Sequence, residues 1–359
     1  MKESEIKNKN IPIALPSLGI EELDAIKEPI IKGWLTQGSQ VAKFEAEFSN
    51  MHNVNHALAS TSCTTALHLA LMAMGIGPGD EVIVPAFTWV STANVVLYCG
   101  ATPVFCDVDI KTFNIKISDI APKITDKTKA IIPVHLFGLC ADIDAIKKVI
   151  PSHIKIIEDA ACATGASYKK RFAGSLGDMG AFSFHPRKTI TCGEGGMLTT
   201  NDDKLNVIVE KLRNHGAEIS EEKRHLGPKP YVLPDFNVLG FNYRMTDLQA
   251  AIGRVQLSKL NQFVKEREYW AKYYTKELDS LDWLIPQSVP EYITQHAWQA
   301  YVCYVDPNKS PKSRNDIMEY LQTKGISTRP GTHAVHMLQY YKEKFRLVSE
   351  DFPGSFACY

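Results

Sequence analysis

Short apolar runs alternate with stretches of helical spacing from about residue 20 to residue 210. A strand buried on both faces loses the polar half of its alternation, and parallel neighbours need a helical crossover between them. The pattern therefore predicts a mainly parallel sheet with helices on both faces, an α/β architecture. EVIVP (81–85), TPVFCDV (102–108), KAIIPVHLFG (129–138) and IKIIEDA (154–160) read as strands. Between them, CTTALHLALMAMG (63–75), WVSTANVVLYCG (89–100) and ADIDAIKKVI (141–150) have the spacing and length of helices. GAFSFH (180–185) and GGMLTT (195–200) read as two further short strands joined by a loop.

The texture changes after residue 245, where residues 245–278 form one long helical pattern opened by a capping Thr246 or Asp247. AYVCYVD (300–306), a helix over 311–324 and GISTRP (325–330) then suggest a small α+β domain. The expected division is a large domain over 1–253, followed over 254–359 by a linking helix and the small domain. With 359 residues, 45% of them hydrophobic, the chain has material for one large core and a smaller one. Its 40 lysines and arginines balance 40 aspartates and glutamates, so no overall field draws it to nucleic acid or an anionic membrane. The opening MKESEIKNKN is polar, and no later apolar run reaches the roughly 18 residues of a membrane span. A cytoplasmic protein acting on a small molecule is the expectation. Eight scattered cysteines without a C-x-x-C pair suggest buried free thiols, and His333 and His336 share a helical spacing without a third metal ligand nearby.

Chemistry concentrates in FSFHPRKTITCGEGGMLTT (182–200), where a strand ends in a polar loop carrying Lys188 and then a glycine cluster. In α/β sheets the loops beyond the carboxyl ends of strands hold ligands, so Lys188 is placed to reach into a cleft, although an isolated loop lysine is ordinarily a surface residue. Upstream, IEDA ends an apolar strand with Glu158 and Asp159 and brings an acid to the same sheet edge. A buried acid needs a cationic or hydrogen-bonding partner, and a protonated pyridine nitrogen would be one. A helix cap or structural ion pair is the plainer use of such an acid. ASTSCTTALHLALMAMG (59–75) feeds Ser62, Cys63 and Thr64 into a helix start, where backbone amides bind phosphate or simply cap the helix.

These three elements occur in order, with PAFTWVSTANV (85–95) between the first two and GFNYRMTDLQAAIG (240–253) after the third. Together they resemble the DegT/DnrJ/EryC1/StrS sugar aminotransferases over a span from about residue 12 to the end. The string S-F-H-x-x-K-x-I-T-x-G-E-G-G is the most specific part. The resemblance implies the aspartate aminotransferase-like fold of pyridoxal 5′-phosphate enzymes. It makes Lys188 the residue that holds the cofactor covalently, Asp159 the partner of the pyridine nitrogen and Trp89 the ring stacked on the cofactor. It assigns the phosphate to Cys63, Thr64 and Ser183, with Asn242 reaching across from the other subunit of a homodimer. Glu194 and Arg244 match patterned positions that support the site.

The chain departs from the family in two places. After E-D-A-A the family commonly has His or Gln, where this chain has Cys162, so a hydrogen bond to a cofactor oxygen is missing or replaced. Relatives also usually continue past DFPGSFACY (351–359), so the small domain is expected to be incomplete. By resemblance, glutamate donates an amino group through the cofactor to a nucleotide-linked keto-sugar for a surface polysaccharide or glycan. The expected acceptor is a 4-keto-6-deoxyhexose, met by Arg329 or His333 in STRPGTHAVH (327–336). Three other functions compete. A nucleotide-sugar oxidoreductase needs an early G-x-G-x-x-G, and only GSLGDMG (174–180) comes near. Dehydratases of the family carry histidine in place of the lysine. A non-catalytic regulatory protein on the same fold is the third.

Overall fold

The computed structural model describes residues 10–219, 224, 225 and 227–359, so all but the last residue of the polar opening lies outside the described residues. Seven strands form the central sheet: β1 (His56–Ser60), β2 (Glu81–Pro85), β3 (Thr102–Cys106), β4 (Thr128–Ile131), β5 (Lys155–Asp159), β6 (Met179–Ser183) and β7 (Gly196–Thr200). Their order is β1-β7-β6-β5-β4-β2-β3, with β7 antiparallel to both neighbours and the other pairings parallel.

Strand residues alternate between two cores. Ala57, Ala59, Ile83, Ile131, Ile156, Phe182 and Met197 face one core, which also takes Phe44 and Phe48 from helix Ser39–His52, and Leu257, Leu260 and Val264 from helix Asp247–Leu278. Leu58, Val82, Val84, Ala130, Ile157, Ala181 and Leu198 face the other, beneath helices Cys63–Ala73, Ser91–Tyr98 and Asp203–Leu212. Both faces are covered, which is why the strands read as unbroken apolar runs.

The 129–138 run is not one strand. The regular strand ends at Ile131; Val134 keeps only an isolated bridge to Asp159, Pro133 has no N–H to offer, and the chain turns through Leu136–Gly138 with Phe137 at φ 60°. Helix Asp247–Leu278 is continuous through residue 253. Thr246 is its cap, accepting from the Gln249 amide, while the Asp247 carboxylate accepts from the amides of Gly38, Gln40 and Val41 and so caps Ser39–His52 instead. Beyond it, Leu284–Pro286 pairs with Cys303–Val305, and a helix covers Arg314–Thr323. His333–Ala334 pairs antiparallel with Phe87–Thr88, so this C-terminal part is joined to the edge of the sheet where the strands end.

His333 and His336 do not share a helix: the first lies in that short strand and the second in a 3-10 turn, Val335–Met337. Among the described residues no group of three or more His, Cys, Asp or Glu side chains is arranged to hold a metal ion. No described helix is long and apolar enough to cross a membrane. All eight cysteines are free thiols, five of them buried.

Candidate active site

The carboxyl ends of β1, β5 and β6 and the start of β7 meet at one sheet edge, because Gly196 pairs with both Ser60 and Ser183. The loop that leaves β6 is closed by Phe184 N donating to Gly195 O (2.9 Å), Cys192 N to Phe184 O (3.1 Å) and Thr191 Oγ1 to Phe184 O (2.8 Å). Lys188 sits at its tip, half-buried, and its Nζ donates to Cys162 Sγ at 3.2 Å. Burial works against the ammonium charge, yet Cys162, Cys63 and Asp159 around it hold the lysine above its ordinary value.

Glu158 and Asp159 part company here, because successive strand residues point to opposite faces. Glu158 is fully buried and accepts from Gly174 N, Leu176 N and Gly177 N (2.7 Å each) and from His135 Nε2 (2.8 Å). Every acceptor direction is taken, so it braces the 174–177 loop. Asp159, on the other face, accepts from Thr92 Oγ1 (2.7 Å) and Ala161 N (3.2 Å), with Cys63 Sγ 4.0 Å from its Oδ1. That leaves acceptor capacity on a buried carboxylate beside Lys188.

Cys63 and Thr64 open helix Cys63–Ala73, capped by Ser62, whose hydroxyl accepts from Thr65 N at 3.2 Å. The first amides of a helix have no acceptor within it and are left to an outside one. Burial, then Asp159, push the Cys63 thiol well up, so it stands there neutral. The start of β7 lies directly on this helix end: a Cβ on Gly196 would stand 2.6 Å from Cys63 N. Ser183, at the end of β6, is buried, and its Oγ accepts from His185 N (3.4 Å).

Trp89 precedes helix Ser91–Tyr98 and is 54% exposed, so it is not a core residue despite its helical spacing. His333 meets it edge-on at 5.3 Å between ring centroids, and His333 Nδ1 is buried without a partner. Arg329 is exposed, and no hydrogen bond or ion pair engages it among the described residues. Asn242 is exposed on a segment bridged to Asn214, and the next residue, Tyr243, accepts at its carbonyl from Thr61 N (3.1 Å) beside the start of helix Cys63–Ala73. Glu194 supports the loop through its carbonyl, which accepts from Gln249 Nε2 (2.7 Å), and Arg244 donates to Asn214 Oδ1 (2.7 Å). Sequence inspection missed Thr92, whose signal was a hydroxyl three residues after Trp89, and the His135–Glu158 pair, which left no local signal.

The model of the DegT/DnrJ/EryC1/StrS aminotransferase family matches residues 16–359. The chain is 39% identical over 355 residues to the spore coat polysaccharide biosynthesis protein SpsC of Bacillus subtilis (strain 168), covering 98% of this chain and 91% of that one. Its structure superposes on Spr1654 from Streptococcus pneumoniae in the PMP form with a TM-score of 0.90 at 27% identity, covering 97% and 92% of the two chains. The PLP form of the same protein gives 0.88 at 26%, covering 98% and 91%. PseC of Helicobacter pylori, an aminotransferase involved in the biosynthesis of pseudoaminic acid, matches with a TM-score of 0.88 at 26% identity over 97% of this chain and 92% of its own.

Proposed function

The chain belongs to the DegT/DnrJ/EryC1/StrS aminotransferase family, and from that footing we propose that it moves an amino group from glutamate to a nucleotide-linked 4-keto-6-deoxyhexose. Its cofactor is pyridoxal 5′-phosphate. The residues present fit that group. A buried carboxylate with spare acceptor capacity suits a protonated ring nitrogen, a helix start suits a phosphate, and an exposed indole beside them suits a flat ring. When bound, the cofactor withdraws electrons from the substrate carbon that bears the nitrogen.

The observation that carries the proposal is the meeting of Lys188 Nζ, Cys162 and Asp159 at one sheet edge. Lys188 holds the cofactor through Nζ. With the cofactor bound, the free amine of Lys188 would be the group that carries a proton between the substrate carbon and the cofactor. A lysine held above its ordinary value is cationic at neutral pH, so it must give up a proton before either role. Cys162 Sγ is the atom to which that proton points. Asp159 fixes the ring nitrogen, Trp89 covers the ring face, and Cys63, Thr64 and Ser183 take the phosphate. We assign the sugar or its diphosphate to His333, which lies against Trp89, and to the unpaired, exposed Arg329.

A homodimer completes the site, with Asn242 serving the neighbouring subunit's phosphate. Leu15, Ile31, Leu233 and Leu239 are each more than four-fifths exposed, and apolar surface of this kind is what a second copy covers. A role in polysaccharide or glycan synthesis is supported by the resemblance to SpsC, named for spore coat polysaccharide biosynthesis, and to PseC, involved in the biosynthesis of pseudoaminic acid. Incubating the purified protein with glutamate and a panel of nucleotide keto-sugars, then weighing the products, tests the substrate. Turnover of a 3-keto sugar with none of the 4-keto isomer refutes the chosen acceptor.

A further inference from the structure

The carboxylate of Asp159 is gripped by a hydroxyl that the chemistry above does not use. Thr92 Oγ1 lies 2.7 Å from Asp159 Oδ2, and Thr88 Oγ1 lies 3.2 Å from Thr92 Oγ1. Both threonines are buried. A hydroxyl has one proton to give and an ionised carboxylate only accepts, so Thr92 donates to Asp159. Its oxygen is then left to accept from Thr88. The donors run one way, from Thr88 through Thr92 to Asp159, and each bond polarises the next.

We propose that Thr92, supported by Thr88, is a positioning residue that locks the carboxylate plane of Asp159 toward the ring nitrogen of the cofactor. This rests on the assignment of Asp159 made above. The two carboxylate oxygens are held by separate elements, Oδ2 by helix Ser91–Tyr98 and Oδ1 by the Ala161 amide in the turn after β5, so the group cannot swing about its last torsion without breaking one of them. Thr92 N also donates to Trp89 O at 3.2 Å. One turn of chain therefore sets both the indole that covers the ring and the hydroxyl that aims the acid. Thr88 is held in turn by the pairing of Phe87–Thr88 with His333–Ala334. The β-branch of threonine restricts the first side-chain torsion, which keeps the hydroxyl on the carboxylate.

The test uses full-length protein stripped of cofactor and titrated with pyridoxal phosphate, comparing Thr92→Val, which keeps the shape, with Thr92→Ser, which keeps the hydroxyl. Thr92→Val is expected to weaken cofactor binding about tenfold or more, the effect of losing one hydrogen bond to a charged group. With cofactor isotope-labelled at the ring nitrogen, its magnetic resonance signal should move toward the unprotonated position in Thr92→Val and stay put in Thr92→Ser. A purely structural threonine would not move that signal. Thr92→Ala replaces the valine variant if the latter does not fold, and Thr88→Val should act in the same direction to a smaller extent. Unchanged affinity and an unchanged ring signal in the folded Thr92 variant overturn the proposal. Asp159→Asn separates the two levels. If it abolishes ring protonation while Thr92→Val leaves it intact, only the role of Thr92 falls; if it too leaves the ring protonated, the assignment of Asp159 falls.

Discussion

Glu158→Gln changes one oxygen to an amide nitrogen in a place where four donors converge. Oε1 accepts from Leu176 N and Gly177 N, and Oε2 from Gly174 N and His135 Nε2. The histidine cannot reverse its role, because its Nδ1 accepts from Ala141 N at 3.0 Å and so the proton sits on Nε2. Whichever way a glutamine amide turns, its NH₂ faces two N–H groups, and two bonds to a buried charge are lost. At about 1.5–3 kcal/mol each, the expected cost is about 3–6 kcal/mol. That is a large share of the roughly 5–15 kcal/mol that holds a typical native protein. Denaturant unfolding of the cofactor-free protein, followed by circular dichroism, measures it as a lowered midpoint at unchanged slope. Asp159→Asn, one residue along and on the other face, should leave the midpoint nearly in place and cost cofactor binding instead. A Glu158→Gln protein within about 1 kcal/mol of the parent, or one of normal stability that has lost its cofactor, refutes this division of labour between the two acids.

Borohydride reduction of the loaded protein should fix the cofactor to a peptide containing Lys188, and Lys188→Ala should lose both the label and turnover. Lys169 and Lys170, exposed at the turn of the Ser167–Phe172 hairpin, are the controls, and labelling of either would place the site elsewhere. Acid sensitivity should begin near pH 6.5, above the carboxylate range. Burial holds His52 down at about 4 and His296 at about 3, so below pH 6.5 the unfolded chain takes up protons that the folded one refuses. Stability is full above pH 6.5 and falls toward pH 4 by about 1.4 kcal/mol per unit for each histidine. His52→Phe should lower the slope by up to about 1.4 kcal/mol per pH unit in denaturation series at pH 7 and pH 5, and an unchanged slope counts against the assignment. Mixing Lys188→Ala with Asn242→Ala protein should restore activity, because a hybrid dimer has one site with both residues intact. No recovery after subunit exchange means that Asn242 acts within its own chain.

What the sequence made legible was whatever repeats with the period of an element. Apolar runs located four of the seven sheet strands, and the short stretches 180–185 and 195–200 on either side of the lysine loop located two more, because burial on both faces removes the polar half of a strand's alternation. The same period of two separates Glu158 from Asp159, so one of the adjacent acids had to turn away from the site even before hydrogen bonds were known. The 129–138 run read too long because an apolar stretch continues past the regular strand, through the isolated bridge at Val134 and the turn at Phe137, where burial persists. Trp89 read as ambiguous for the opposite reason: its helical spacing is real, but the helix starts two residues later at Ser91 and leaves the indole exposed. Contacts between distant segments left no periodic trace. His333 reaches Trp89 only because two-residue strands from opposite ends of the chain pair at Thr88, and Thr92 reaches Asp159 only because helix Ser91–Tyr98 lies over the face to which Asp159 points. Such contacts follow from how elements stack, so their residue types carry chemical meaning only once the stacking is known. That is why the lysine loop announced itself through its motif, while the hydroxyls that aim its acidic partner did not.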